Sequence, residues 1–185
     1  MFGFFKKKGV VHNDSNCTID ITESYITING RNFEVPMHID TLIEVLGTPR
    51  SIKFKTKEDD RQFLEEIHGE GMVTKRVNYV WDELGLNCYT MNGKVLTCFG
   101  IELNHGEKYP QTPKNVFTGK LTINGRHWLD AVKEGEDCEV LQHVYLGDYV
   151  ITAEYVDFEQ DMSTRDETSY TGIEISLKSG TDDLP

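Results

Sequence analysis

Three Asn-Gly pairs, Asn29-Gly30, Asn92-Gly93 and Asn124-Gly125, sit between short runs rich in β-forming residues. A two-residue turn of this composition supplies the positive-φ positions of a type I′ hairpin, whose twist matches that of paired strands. The chain is thereby committed to antiparallel pairing at three places. With Gly147-Asp148 as a fourth turn, strands are expected over 18–22, 25–28, 31–35, 51–56, 77–81, 86–91, 94–103, 117–123, 138–146, 149–156 and 171–178. The spacing of parallel βαβ units is missing. The expected fold class is therefore mainly β (α+β), with antiparallel, sandwich-like sheets and one or two short helices.

One helix is expected over 40–46, with Asp40 as N-cap, Gly47 as the stop and Pro49 just beyond. A second short helix is expected within the charged stretch 57–75, where Phe63, Leu64 and Ile67 share a face and Gly69 ends it. Residues 104–115, with Gly106, Pro110 and Pro113, read as a linker. The chain then divides into an N-terminal β-rich half, 1–105, and a C-terminal β half, 116–185, which stand apart or pack as a single domain.

The halves echo each other. ITINGRNF at 26–33 matches LTINGRHW at 121–128 in five identical positions, and Gly-Ile-Glu recurs at 100–102 and 172–174. In a two-residue hairpin Ile26 faces Phe33, and at the same offsets Leu121 faces Trp128. The offsets of 95 and 72 make the second copy 23 residues shorter, roughly the size of the charged stretch at 57–75. Internal duplication and chance recurrence of hairpin chemistry both account for this pattern.

The net charge of −12 is concentrated. Residues 1–129 hold 16 acids and 16 bases, whereas residues 130–185 hold 15 acids and 3 bases. A field of that sign repels nucleic acid and anionic membrane, which leaves a basic protein partner or plain solubility as its use. The candidate partner-binding residues are Glu134, Glu136 and Asp137 around one turn, and Asp157, Phe158, Glu159, Asp161, Asp166 and Glu167 in a polar loop over 157–169. If the two regions converge, they form a patch that steers a basic partner, with Phe158, Met162 and Tyr170 as apolar anchors.

Motifs of chemistry are missing. There is no Gly-x-Ser-x-Gly, no His-Glu-x-x-His and no phosphate-binding glycine loop, and the six histidines are scattered. The acidic loop fails as a calcium loop, because Met162 occupies the glycine place and Thr168 the bidentate one. Cys17, Cys88, Cys98 and Cys138 never form Cys-x-x-Cys. Pairing across Asn92-Gly93 that sets Met91 against Lys94 puts Cys88 and Cys98 on opposite faces, so free thiols are expected. No metal, no cofactor and no catalytic residue are assigned, and the expectation is a non-enzymatic protein. The N-terminal Phe2, Phe4 and Phe5 before Lys6, Lys7 and Lys8 reverse the charge order of a secretory signal, and no apolar run spans a membrane. A cytoplasmic protein without stable membrane insertion is the expectation.

The series Thr27-Ile28-Asn29-Gly30, then Ile39-Asp40 with Val45-Leu46-Gly47-Thr48-Pro49-Arg50, then Val80-Trp81-Asp82-Glu83-Leu84-Gly85-Leu86 and Tyr89, resembles an uncharacterised bacterial family. That family sits among small cytoplasmic proteins of polymorphic-toxin, Rhs-type loci, many of which act as immunity proteins. The likeness covers 25–103 and includes no catalytic motif. It implies a binder that neutralises a cognate toxin, and an acidic inhibitor suits a basic toxin domain. Trp81 and Leu84 read as core and the Gly47-Thr48-Pro49-Arg50 turn as a helix stop, with Arg50 an exception only if it pairs with Asp82. The alternative is a small-ligand or carbohydrate-binding β-sandwich module in which Trp81, Tyr89 or Trp128 lines a groove.

Overall fold

The computed structural model describes residues 16–53, 77–91, 95–104, 109–138, 141–155 and 160–178. The expected helix at Phe63, Leu64 and Ile67 lies outside them, as do Asp157, Phe158, Glu159 and the Asn92-Gly93 turn itself.

Among the described residues the strands are β1 (Thr18–Ile21), β2 (Ile26–Ile28), β3 (Arg31–Phe33), β4 (Met37–His38), β5 (Arg50–Lys53), β6 (Val77–Trp81), β7 (Leu86–Met91) and β8 (Val95–Glu102). They continue as β9 (Lys120–Ile123), β10 (Arg126–His127), β11 (Glu136–Cys138), β12 (Leu141–Leu146), β13 (Tyr149–Tyr155) and β14 (Tyr170–Leu177). The helices are α1 (Ile39–Leu46) and α2 (Trp128–Lys133). The fold is mainly β, as the turn chemistry predicts.

Two sheets form. One runs β10-β9-β1-β2-β3, antiparallel except for the β1–β9 pair, which is parallel. The other runs β11-β12-β13-β14-β8-β7-β6-β5, with β4 also on β8. Both sheets mix strands from before and after the 104–115 connection. Both sheets and both helices feed one hydrophobic cluster, from Ile19, Leu42 and Phe99 to Leu121, Val132 and Ile151. The period of two is plain in β13, where Tyr149, Ile151, Ala153 and Tyr155 are buried and the residues between are not.

The Asn-Gly turns behave as their chemistry requires. Asn29 and Gly30 have φ of 51° and 80°, Asn124 and Gly125 of 51° and 71°. Ile26 faces Phe33 and Ile28 faces Arg31. The second hairpin departs from its copy: Ile123 faces Arg126, but Trp128 leaves the ladder to open α2, so no Leu121–Trp128 pair exists.

Other expectations are corrected locally. α1 starts at Ile39, and its N-cap is His38, whose side chain accepts from the Asp40 N–H; Gly47, at φ 81°, ends it as expected. The stretch 138–146 is not one strand: β11 ends at Cys138 and β12 returns antiparallel from Leu141. β7 and β8 pair with Met91 opposite Val95 and, past an irregularity between Tyr89 and Thr90, Cys88 opposite Phe99, rather than in the simple two-residue register. The parity is unchanged, so Cys88 and Cys98 still point to opposite faces, and all four cysteines are free.

The echo between the halves extends to the element order. In each half a hairpin leads to a helix capped by a histidine, and then to four strands that pair in succession: β5 to β8 after α1, β11 to β14 after α2. The last strands of the halves meet. Gly100 faces Glu174, Ile101 faces Ile173, and Glu102 faces Gly172, so the two Gly-Ile-Glu copies pair with each other about a local pseudo-two-fold. Residues 54–76 intervene between β5 and β6, whereas only 139 and 140 separate β11 from β12, which places the length difference at the charged stretch.

Candidate functional site

α2 forms because Trp128, Ala131 and Val132 make a buried stripe at helical spacing and His127 Nδ1 accepts from the Leu129 N–H at 3.3 Å. Asp130 in its first turn and Lys133 in its last complement the helix dipole. Just beyond, Glu134 takes two hydrogen bonds from Arg126, both at 2.8 Å, and the guanidinium holds its carboxyl below the usual range. The next residues, Glu136 to Cys138, form the edge strand β11 and are exposed along their length.

The loop from Gln160 to Ser169 folds as two 3₁₀ turns, Met162–Thr164 and Glu167–Ser169. Each is closed by an aspartate. Asp161 accepts from the Ser163 N–H at 2.8 Å, and Asp166 from the Thr168 N–H at 2.9 Å within a capping box with Ser169. The Ser163 and Thr168 hydroxyls, which donate to the same carboxylates, and then these N–H groups lower both carboxyl pKa values.

Between the turns Arg165 points inward and is 2% exposed. Its guanidinium lies 3.6 Å from the Tyr155 ring centroid, Nη2 donates to Gln160 O at 3.1 Å, and Nη1 sits 3.6 Å from Asp137 Oδ1. Nε and Nη1 make no hydrogen bond among the described residues. Asp137 also accepts from the Tyr155 hydroxyl at 2.9 Å. Below, Tyr170 donates to Gln142, and Gln142 donates to Val132 O at 3.3 Å. Glu167 meets His127 Nε2 at 3.2 Å. The His127 and Arg165 links bring α2, β11 and the loop together at one edge of the larger sheet.

The structure therefore gathers Glu134, Glu136, Asp137, Asp161, Asp166 and Glu167 in one region, all exposed. Tyr170 is not available as an anchor: the pleat turns it inward and it is 0% exposed. Met162 is half-buried against Gln142. Sequence reasoning missed Arg165 and His127, although Arg165 is the one base in the acidic stretch 157–169. Among the described residues no three His, Cys, Asp or Glu side chains gather as metal ligands.

The residues behind the ligand-groove alternative do not share a groove. Trp81 is buried, and its Nε1 donates to Gly47 O at 2.8 Å. Tyr89 lies on the opposite face of the sheet. Trp128 alone of the three borders a groove of about 830 Å³, with Phe117, Leu121, His127 and Glu167. No helix among the described residues is long and apolar enough to cross a membrane.

Residues 18–137 match the model of a protein family described as a domain of unknown function (DUF7738). That span runs from β1 into β11 and stops short of β12, β13 and β14. No curated protein and no solved structure matches the chain.

Proposed function

The chain belongs to that family of unknown function, DUF7738, and we propose that it acts as a non-enzymatic cytoplasmic binding protein, an immunity-type inhibitor that neutralises a basic toxin domain. One observation carries the reading: among the described residues the acids of the acidic third face solvent, while two of its three bases turn inward or are occupied. Arg165 is buried, and Lys178 lies against Gly147 O and the Tyr145 ring. Of the acids, Glu134, Glu136, Asp137, Asp161, Asp166 and Glu167 are exposed. Such a field accelerates encounter with a cationic partner and is sensitive to salt.

The test is co-expression with the product of the adjacent gene. The reading expects that product to poison cells and this chain to rescue them. If cells are neither poisoned nor rescued, the reading fails. Charge reversal at Glu134, Glu136 and Asp137 is expected to slow association, most at low salt. These side chains are preferred to Asp161 and Asp166, whose carboxylates close the 3₁₀ turns.

The groove beside Trp128 favours a second reading, a small-ligand or carbohydrate-binding module. A melting-temperature rise across a sugar and metabolite panel, abolished by Trp128→Leu, would support it.

A further inference from the structure

The larger sheet has an outer face, and the pseudo-two-fold relates its two halves. On that face Tyr145 and Asn78 stand at opposite ends of one cross-strand row, and His143 and Val80 at opposite ends of another. The two ends of each row are covered unequally. Asn78 is 4% exposed and Val80 is buried, whereas Tyr145 is 52% exposed and His143 half-buried. The outer face is therefore open at its β12 end where it is covered at its β6 end. Exposed large apolar side chains are uncommon among the described residues, and Tyr145 is one of two.

Next to it the Gly-Ile-Glu pairing sets Gly100 and Gly172 on this face on adjacent strands, each opposite the glutamate of the other copy. Gly100 is buried with the Asn87 side chain against it, and Gly172 is the more open of the two. They line a trough of about 390 Å³ walled by Asn87, Glu102, Glu154 and Glu174, and among the described residues no basic side chain lines it. Glu154 and Glu174 are exposed, and Glu136 continues the same row at the edge, across His143 and Thr152.

We infer that this part of the outer face is the docking surface for a basic polypeptide segment of a protein partner. An Arg or Lys stem lies on the Gly172 backbone, its charge reaches the carboxylate walls, and an apolar side chain packs on Tyr145. The carboxylates complement that charge, and the missing Cβ of Gly172 makes the room. The inference takes its class of partner from the reading proposed above and places the contact on the sheet face instead of on the 160–169 loop.

The experiment titrates the full chain with a synthetic octapeptide of alternating Arg and Val, followed by amide NMR, with an alternating Glu-Val peptide as control. Shifts are expected on β12, β13 and β14 around Tyr145, Thr152 and Gly172. Glu154→Gln with Glu174→Gln, or Tyr145→Ala alone, is expected to weaken binding on the order of tenfold, since these side chains would be its anchors. All three side chains are exposed, so the variants should melt like the parent; Glu34→Gln, exposed just beyond β3 of the smaller sheet, should bind like it. Shifts confined to 134–137 and 160–169, or binding indifferent to the variants, would overturn the inference. The same variants enter the co-expression assay. Rescue that survives them leaves the toxin-inhibitor reading standing and removes this face from it. A peptide footprint on the face without any toxicity to rescue does the reverse.

Discussion

Arg50 grips Asp82 side-on, along one edge of its guanidinium: Nε donates to Oδ2 at 2.9 Å and Nη2 to Oδ1 at 2.9 Å. The same Arg50 donates through Nη1 to Pro110 O at 2.8 Å, and Asp82 Oδ1 accepts from the Lys114 N–H at 3.2 Å. Arg50 follows the stop of α1 and Asp82 follows β6, so the pair clasps the connection between the halves. Asp82 is only 13% exposed, which makes the bidentate geometry worth more than a surface pair.

Asp82→Asn is expected to cost about 2 kcal/mol, measured by urea unfolding at neutral pH. The pH dependence has a definite sign. Hydrogen bonds from Arg50 hold the Asp82 carboxyl below its ordinary 3.8. A depressed carboxyl stabilises the fold above the unfolded pKa and loses that contribution as pH falls through the folded one. The parent should therefore lose its margin over Asp82→Asn below about pH 4. A margin that stays constant down to acid unfolding would contradict this role.

Gly85 separates strain from crowding. Its φ is +68°, and a Cβ there would lie 2.2 Å from the Phe117 backbone nitrogen. Gly125 has a similar φ of +71° but nothing within 4 Å of the same atom. Gly125→Ala should cost about 1–2 kcal/mol, the left-handed penalty alone. Gly85→Ala should cost clearly more, since backbone must move, and equal midpoints in denaturant for the two variants would refute the difference.

Much of this fold was legible because hairpin turns are local. Asn29-Gly30 set the register of Ile26 and Phe33 without help from the rest of the chain. Trp128 was misread for the complementary reason: its copy, Phe33, continues a strand, but the Trp128, Ala131 and Val132 stripe packs as a helix that only the tertiary core rewards. The same holds for the candidate surface. Charge counting located the acidic third, yet which acids face solvent depends on Arg165 turning inward and on the pleat that buries Tyr170, and the pairing of β14 with β13 and packing on Tyr155 decide both.

Arg165 is expected to act through shape more than charge. Its guanidinium covers the Tyr155 ring, yet two of its nitrogens make no hydrogen bond, and Asp137 stays partly solvated. Arg165→Met keeps the bulk and removes the buried charge, so stability should stay within about 1 kcal/mol of the parent. Arg165→Ala removes the stacked surface and should cost about 3 kcal/mol, with loss of amide protection over 160–169. If the methionine variant falls as far as the alanine one, the charge itself holds the loop.

Ile101 and Ile173 sit opposite each other on the inner face at the pseudo-two-fold, each 2% exposed. Equivalent positions in equivalent surroundings should respond alike, so Ile101→Ala and Ile173→Ala are each expected to cost about 3 kcal/mol. Because the two side chains are cross-strand neighbours, the cavities merge in the double variant. Its cost should fall short of the sum by about 0.5–1 kcal/mol, a coupling that distant core sites do not show. Ile19 with Ile151, from different sheets of the same cluster, serves as the comparison. Strict additivity at 101 and 173, or single costs differing by more than about 1.5 kcal/mol, would mean that the paired Gly-Ile-Glu strands match in sequence but not in packing.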